Sequence, residues 1–467
     1  MVRSKVVSGI MVLFLLVIVF GEAWNVTTMG NPGIIRVPED YPTIQAGINA
    51  ADVGDVVLVA SGTYYERVVV NKSLTLMGSG RDFSIIDGGG SGIVVHATAS
   101  NVTVTGFTIR EGSCGILLLG SGSIVRDNLV TGNGWTGIYS FGSSNSTIGG
   151  NEASNNGEAG IVVEYSHDNI VVGNNAIYNG KGIYLSDSTN CIIRNNTIAN
   201  NRNGMYLRRS MNNLMANNIV RGSGPAVYLE SSDDNTIKSN DIVFTEGHGV
   251  YGSGSSNIID GNNVVAHDIW GDDLHCICLF GSNNTIDGNN VVAQDIWGFE
   301  FYCICLFGSN NTIDGNNITS VAHKEYLNWA VFGIYLSGAD NIVNKNTLTV
   351  AYYGSFLYGI ELSGSSNVVS NNNMTHAGIY GTGSGNLVCS NILDSGGIGI
   401  SGASNLIANN TATNGGIGTA GSNNFITNNT VANGGGVLAF QALITPFLIT
   451  SQQSRKTVSS LYLQAIA

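Results

Sequence analysis

From Asn145 to Val431 the chain repeats one short unit: an Asn opening an apolar strand, an Asn pair opening a second, and then a Gly-Ile-Tyr-Leu-like strand. The openings fall at Asn145, Asn169, Asn190, Asn213, Asn235, Asn257, Asn284, Asn311, Asn341, Asn367, Asn386, Asn405 and Asn424, and the step between them lengthens from Asn257 to Asn367. A repeat of this length builds a solenoid, because one unit can bury its apolar edge only against its neighbours.

The unit Asn169 to Leu185 shows which solenoid. Its pieces Asn169-Ile170-Val171-Val172-Gly173, Asn174-Asn175-Ala176-Ile177 and Gly182-Ile183-Tyr184-Leu185 are short, with apolar positions two apart. That period belongs to a strand with one buried face, whereas a helix needs ten or more unbroken residues. Asn and Gly fill the corners, where left-handed backbone and side-chain-to-backbone hydrogen bonds are required. Three strands per turn imply an all-β parallel β-helix with coils stacked about 4.8 Å apart. Charged residues make up only 11% of the chain and Gly 63 positions, which suits such a stack.

The segment 1–23 reads as an export signal: Arg3 and Lys5, the apolar run Ile10 to Phe20, then Gly21-Glu22-Ala23. The mature chain then starts near Trp24, and secretion, the periplasm or the cell surface is the expected location. Asn-x-Ser/Thr triplets at Asn25, Asn71, Asn101, Asn145 and Asn317 could carry glycans, although Asn and Thr recur at corners for structural reasons. A net charge of −13 disfavours nucleic acid as a partner, since affinity for a phosphate backbone comes from Lys and Arg. Seven Cys do not form a disulfide framework in a chain of this length. The run Val437 to Ile449 is too short for a confident membrane span, being interrupted by Gln441 and Pro446, and reads as a cap or tail over 437–467. A single β-helix domain over 34–436 is therefore expected.

Between signal and coils, Tyr41-Pro42-Thr43-Ile44-Gln45-Ala46-Gly47-Ile48 spaces Ile44 and Ile48 four apart behind Pro42 and Thr43, which predicts a short helix over Thr43 to Ala51 capping the first coil. Strands and turns follow at Asp55 to Val59, Ser61 to Tyr64, Ser73 to Gly78 and Ile85 to Gly88, completing a block of cap and first coils over 34–90. This block resembles the opening of secreted right-handed β-helix proteins of the carbohydrate-binding and sugar-hydrolase type, a group that includes pectin methylesterases and the NosD family. The pectin methylesterase motifs are missing. An Asp-Asp pair and a Gly-His-Gly similar to polygalacturonase strings are present, but Asp234 and His248 are separated by less than the local coil step from Asn213 to Asn235, so they cannot stack. Resemblance to NosD implies an exported, noncatalytic scaffold that handles copper for a partner enzyme.

The long coils, 255–358, are the expected site, because extra residues in a solenoid emerge as loops on a rigid scaffold. Two coils there are near-copies: Val264 to Phe280 returns as Val291 to Phe307, keeping Asp268, Trp270, Cys276 and Cys278 as Asp295, Trp297, Cys303 and Cys305. Stacked copies predict a Trp270/Trp297 ladder beside an acidic row of Asp268 and Asp295, with Asp272, Glu300, Tyr302, Phe299, Phe301, Tyr326 and Trp329 nearby. Aromatic faces with carboxylates suit a polysaccharide; packing of the loops is the bland alternative. His248, His275, Asp268 and Asp295, with Glu246, Asp273, His323 and Glu325, offer acid and base groups in the same wall, enough for a lyase, epimerase or glycoside hydrolase. Alignment of Cys276-Ile277-Cys278-Leu279 with Gly333-Ile334-Tyr335-Leu336 places all four Cys outward, as two disulfides (Cys276 to Cys303, Cys278 to Cys305), as free thiols, or as a site for a soft cation such as copper(I) or for divalent zinc, with no ion required by the sequence. The same alignment predicts an outward ladder of Tyr139, Tyr184, Tyr206, Tyr228, Tyr251, Tyr335 and Tyr380. The sequence thus supports an exported protein that binds, and has the groups to process, an extracellular polysaccharide. Its rival is a metal-handling or structural cell-envelope scaffold.

Overall fold

The computed structural model describes residues 32–440 except 223, 272, 298–299, 323–329, 352–355 and 435. The expected export signal and the tail beyond 440 lie outside these residues, as do Asp272, Phe299, His323, Glu325, Tyr326 and Trp329. Over the described residues from Gly33 to Phe440 the chain is a right-handed parallel β-helix of about 17 turns. Each turn contributes one strand to each of three parallel sheets. The first sheet runs from Ile34–Val37 to Phe425–Thr427, the second from Gly62–Tyr64 to Thr430–Ala432 and the third from Val68–Val70 to Gly436–Phe440. That last strand pairs with Gly416–Ala420, so the third sheet crosses the expected domain end at 436.

Each regular strand of the first two sheets turns one apolar side chain into the coil, and those of the third mostly turn two, as Ile183 and Leu185 do. Val171, Ile193, Met215 and Ile237 stack from the first sheet, Ala176, Ile198, Val220 and Ile242 from the second, and Ile183, Met205, Val227 and Val250 from the third, all at most 1% exposed. Each fully buried Ile or Val contributes about 1.5–3 kcal/mol.

Buried amides hold the corners. Asn218 donates from both its backbone N–H and Nδ2 to Asn240 Oδ1, each at 2.9 Å, and from Nδ2 to the Ile193 carbonyl at 2.9 Å. This pattern makes one ladder from Asn128 to Asn429 and another from Asn213 to Asn424. The repeated Asn pair now has a physical reason. In Asn217-Asn218 the first residue takes the left-handed backbone (φ 54°) and the second enters the ladder. Asn145 and Asn190 differ from expectation: both take the left-handed corner (φ 54° and 57°), and Ser146 and Cys191 occupy the ladder one residue later.

The helix Ile44–Ala50 closes the N-terminal end, with Ile44 and Ile48 fully buried. Thr43 Oγ1 accepts from Ala46 N–H at 3.1 Å, and the Glu66 carboxylate accepts from Ile44 and Gln45 N–H at 2.9 and 3.0 Å. Lys72 Nζ donates to the Asn49 and Ala51 carbonyls at 2.7 and 2.6 Å, so both helix ends are satisfied.

The long coils spend their extra residues on strands more than on loops. In the second sheet Asn263–Trp270 and Asn290–Trp297 have eight residues where Thr197–Ala199 has three; in the third, Glu300–Phe307 and Ala330–Ser337 also have eight. Asp268 and Asp295 sit at left-handed positions (both φ 52°) that shift the side-chain alternation, so Ile269 and Ile296 turn inward. Together with Leu274, Phe301 and Val331 they carry the core out between the widened sheets.

Candidate functional site

The outer face of the third sheet gathers the chemistry. Tyr184, Tyr206, Tyr228 and Tyr251 are register partners, with ring centroids 5.0, 5.0 and 6.0 Å apart along the axis. The expected Tyr column is real but interrupted: Val162 separates Tyr139 from Tyr184, Cys278 and Cys305 separate Tyr251 from Tyr335, and Glu361 separates Tyr335 from Tyr380. Beside it runs a charged column, Glu164, Ser186, Arg208 and Glu230. Tyr139 OH hydrogen-bonds Glu164 and Tyr206 OH hydrogen-bonds Glu230. Burial first, then these carboxylates, push both phenols well above the usual tyrosine range, so they remain donors.

Alongside the first rungs of this ladder a groove of about 540 Å³ opens where the second sheet turns into the third, bordered by Glu158, Lys181, Arg202 and Asn203 on the coils that carry Val162, Tyr184 and Tyr206. Its size lies in the range of ligand clefts. Lys181 Nζ reaches Glu158 at 3.1 Å and lies 4.9 Å above the Tyr184 ring centroid, joining groove to ladder. Among the described residues Arg202 has no carboxylate within ion-pair distance and is exposed. Trp135 Nε1 donates to Glu158, and Trp135, Phe141 and Tyr165 present exposed rings (41%, 39% and 56%). Sequence reading missed this groove. Its signal is the Gly-rich corner at Gly157, Gly180 and Gly224, where the third-sheet strands begin.

Further along, His248, His275, Tyr302, Phe332 and Tyr358 stack as a second ring column, at 5.0, 5.2, 4.6 and 5.0 Å between centroids. His275 is 4% exposed; its Nδ1 lies 3.1 Å from His248 Nδ1, and its Nε2 lies 3.3 Å from Asp273 Oδ1. Burial, reinforced by His248 and opposed by Asp273, pulls the His275 pKa down to about 4; burial also lowers that of His248. Both imidazoles are therefore neutral at pH 7. If Nε2 of His275 donates to Asp273, its Nδ1 accepts from His248, whose own Nε2 is left as a base.

The structure divides the expected wall. His275 and Tyr302 lie on third-sheet strands and His248 just before the third-sheet strand Val250–Ser253, whereas Asp268 and Asp295 lie on second-sheet strands, with core residues Ile269 and Leu274 between the sheets. One ligating atom each from His267, Asp268 and Asp295 comes within 4.8 Å of the others. Trp270 and Trp297 are register partners in the backbone; their side chains, and that of Glu300, lie outside the described residues. Phe301 is a core residue, 1% exposed, and not part of a binding surface.

The four Cys do not form an outward square. All are 0% exposed, and Cys276 and Cys303 belong to the interior core. Cys276 occupies the slot that Gly249 and Gly333 fill in neighbouring coils, where an added Cβ would come within 2.8 Å of Val264 and 2.6 Å of Leu348, respectively. The chain bends inward there, so Cys276 and Ile277 both face the core and strict alternation fails. Cys278 and Cys305 form a disulfide, whereas Cys276 and Cys303 are free thiols in side-chain contact. Burial first, then the neighbouring Cys303, raises the Cys276 thiol well above the usual range.

Residues 91–242 match the model of a right handed beta helix region, and residues 183–320 match that of the periplasmic copper-binding protein NosD. No curated protein matches. Among solved structures, the A-module of a mannuronan C-5 epimerase from Azotobacter vinelandii is 17% identical, covering 70% of this chain and 96% of that one, with a TM-score of 0.46. The Dettilon tailspike protein is 16% identical over 70% of this chain and 68% of that one, at 0.46. The catalytic unit of a GH87 alpha-1,3-glucanase from Streptomyces thermodiastaticus is 15% identical over 71% and 66%, at 0.38. Among the described residues no helix is long and apolar enough to cross a membrane.

Proposed function

We propose that this protein binds an extracellular polysaccharide bearing carboxylates, laid lengthwise along the third sheet between the groove of Lys181 and Arg202 and the tyrosine ladder beside it. The observation that carries this reading is the exposed guanidinium of Arg202, without a carboxylate partner among the described residues, in a groove that flanks an axial row of rings. A guanidinium fork matches a uronate carboxylate, and Lys181 supplies a second cation. The ladder rings cover one another's faces, so they offer edges and hydroxyls. Free ring faces come instead from Trp135, Phe141 and Tyr165, where a sugar C–H face can settle. Glu158, Glu230 and Asn203 accept or share hydroxyl hydrogens. The expected sugar contacts on the duplicated coils divide between the sheets: Glu300 and Tyr302 lie on the third-sheet strand Glu300–Phe307, on the side of this track, whereas Trp270 and Trp297 end second-sheet strands. Processing would fall to the neutral His248, the one base on this face oriented by a neighbour.

Calorimetry of the mature chain with polyuronate and neutral-glucan oligosaccharides tests the proposal. Polyuronate should bind, and Arg202→Gln should weaken it at least tenfold, about 1.4 kcal/mol, with the unfolding midpoint unchanged. Equal binding of neutral and acidic oligosaccharides, or indifference to Arg202→Gln, would overturn it. Product analysis with wild type and His248→Gln then reports turnover.

A further inference from the structure

Where the third sheet widens, His275, Cys278 and Cys305 each bring a ligating atom within 4.8 Å of the others. The two Cys are register partners with Cα atoms 4.6 Å apart, joined as a disulfide. His248 stands on the neighbouring coil with its Nδ1 3.1 Å from His275 Nδ1. Rings fence the pocket: Tyr251 and Phe280 on one coil step, Phe307 and Tyr335 on the next, with centroid separations of 5.7 and 5.5 Å. His275 is 4% exposed and both sulfurs belong to residues that are 0% exposed, so the pocket is closed to bulk water.

We propose that reduction of the Cys278–Cys305 disulfide opens a site for one zinc ion, held by both sulfurs and Nδ1 of His275, with Nδ1 of His248, which lies beside His275 but outside that three-atom cluster, turning in as the fourth ligand. The inference does not depend on the sugar-binding reading. A tetrahedral ion with Zn–N bonds of about 2.0–2.1 Å sets its two nitrogens about 3.3 Å apart, close to the observed 3.1 Å. Asp273 Oδ1, 3.3 Å from His275 Nε2, takes the outer position that a carboxylate commonly holds behind a ligating imidazole, fixing the tautomer that turns Nδ1 inward. The chemistry balances. An external dithiol supplies two electrons and two protons, leaves as its own disulfide, and converts the Cys278–Cys305 bond into two thiols. Zinc entry then breaks two S–H bonds, releases two protons to solvent and forms two Zn–S bonds. Two thiolates, two neutral imidazoles and Zn²⁺ sum to zero charge, which a dry pocket tolerates; copper(I) in the same ligands leaves one negative charge there. The oxidised form holds the sulfurs bonded to each other and has no thiolate to offer, so the disulfide acts as the closed state of the site.

The full chain, oxidised or reduced with dithiothreitol and desalted without oxygen, is titrated with cobalt(II) and then zinc. The reduced protein should take one cobalt with the intense visible bands of tetrahedral thiolate coordination, and stoichiometric zinc should bleach them. The oxidised protein should show none. His275→Phe should weaken zinc at least tenfold, while Cys276→Ala with Cys303→Ala should keep uptake intact, since those thiols lie on the core side of the strand. Uptake by the oxidised chain, none by the reduced chain, or loss in the Cys276/Cys303 variant would each overturn the proposal. Because the decisive comparison is between two redox states of the unaltered protein, it stands even where a variant fails to fold.

Discussion

Traced back from Asn213 to Asn169, the amide ladder that ends at Asn424 lacks its amide at one position, Cys191. Its N–H donates to Asn213 Oδ1 at 2.9 Å, so the backbone half of the pattern survives. Below it, Asn169 donates its backbone N–H to the thiol, a weak acceptor, instead of to an amide oxygen. Burial pushes this thiol up to about 11, so it is neutral and cannot compensate as a thiolate. Cys191→Asn should restore the acceptor for Asn169 and add donors toward Asn213 and the Ser166 carbonyl on the preceding coil. A net gain of about 1 kcal/mol is expected, read as a higher denaturant midpoint. The outcome that would sink this account is a lower midpoint, which would mean that the slot has relaxed around sulfur. The ladder itself was readable because an Asn recurring once per coil must stack on its counterparts. Which member of an Asn pair enters the ladder was not, since both share the spacing and only the left-handed φ of the first, as at Asn217, separates them.

Strands, not residues, decide how the widened coils behave. The near-copy Val264 to Phe280 and Val291 to Phe307 was legible as a duplication, and strand pairing confirms its register, Trp270 opposite Trp297 and His275 opposite Tyr302. Its direction was not legible. The alternation expected from Ile277 and Leu279 breaks at Cys276 and again at Asp268, and both breaks are backbone events that a side-chain pattern does not carry. The recurrent Gly before the inward Ile, as at Gly182 and Gly333, was the available warning that this slot meets the interior. The widened strands are also part of the core, which gives a prediction. Phe301→Ala removes a fully inward ring and should cost about 3–5 kcal/mol, whereas Tyr302→Ala, one residue along on the outer column, should cost less than half as much. Comparable losses at the two positions, measured by the shift in denaturant midpoint, would show that the outer ring column is as structural as the core.

At the scale of the whole molecule, a rigid rod of parallel strands presents its outer columns already aligned, so a linear polymer meets little ordering cost on the protein's side. Charge works against that polymer at a distance. The chain carries 19 Lys and Arg against 32 Asp and Glu, a net charge of −13, and an acidic polysaccharide approaching it meets repulsion before it meets Arg202. The reach of that repulsion is the Debye length, about 30 Å at 0.01 M salt and about 8 Å at 0.15 M. Contact with Arg202 and Lys181 acts within a few ångströms and is formed after the encounter. Raising salt from 0.01 to 0.15 M should therefore quicken association of a polyuronate oligosaccharide several-fold while increasing its dissociation rate only modestly, the reverse of the fall in affinity seen when a basic protein binds a polyanion. Stopped-flow fluorescence of an end-labelled oligosaccharide separates the two rates. An association rate that falls steadily with salt would mean that the groove's own cations govern the approach, and that the acidic surface of the solenoid lies out of the ligand's path.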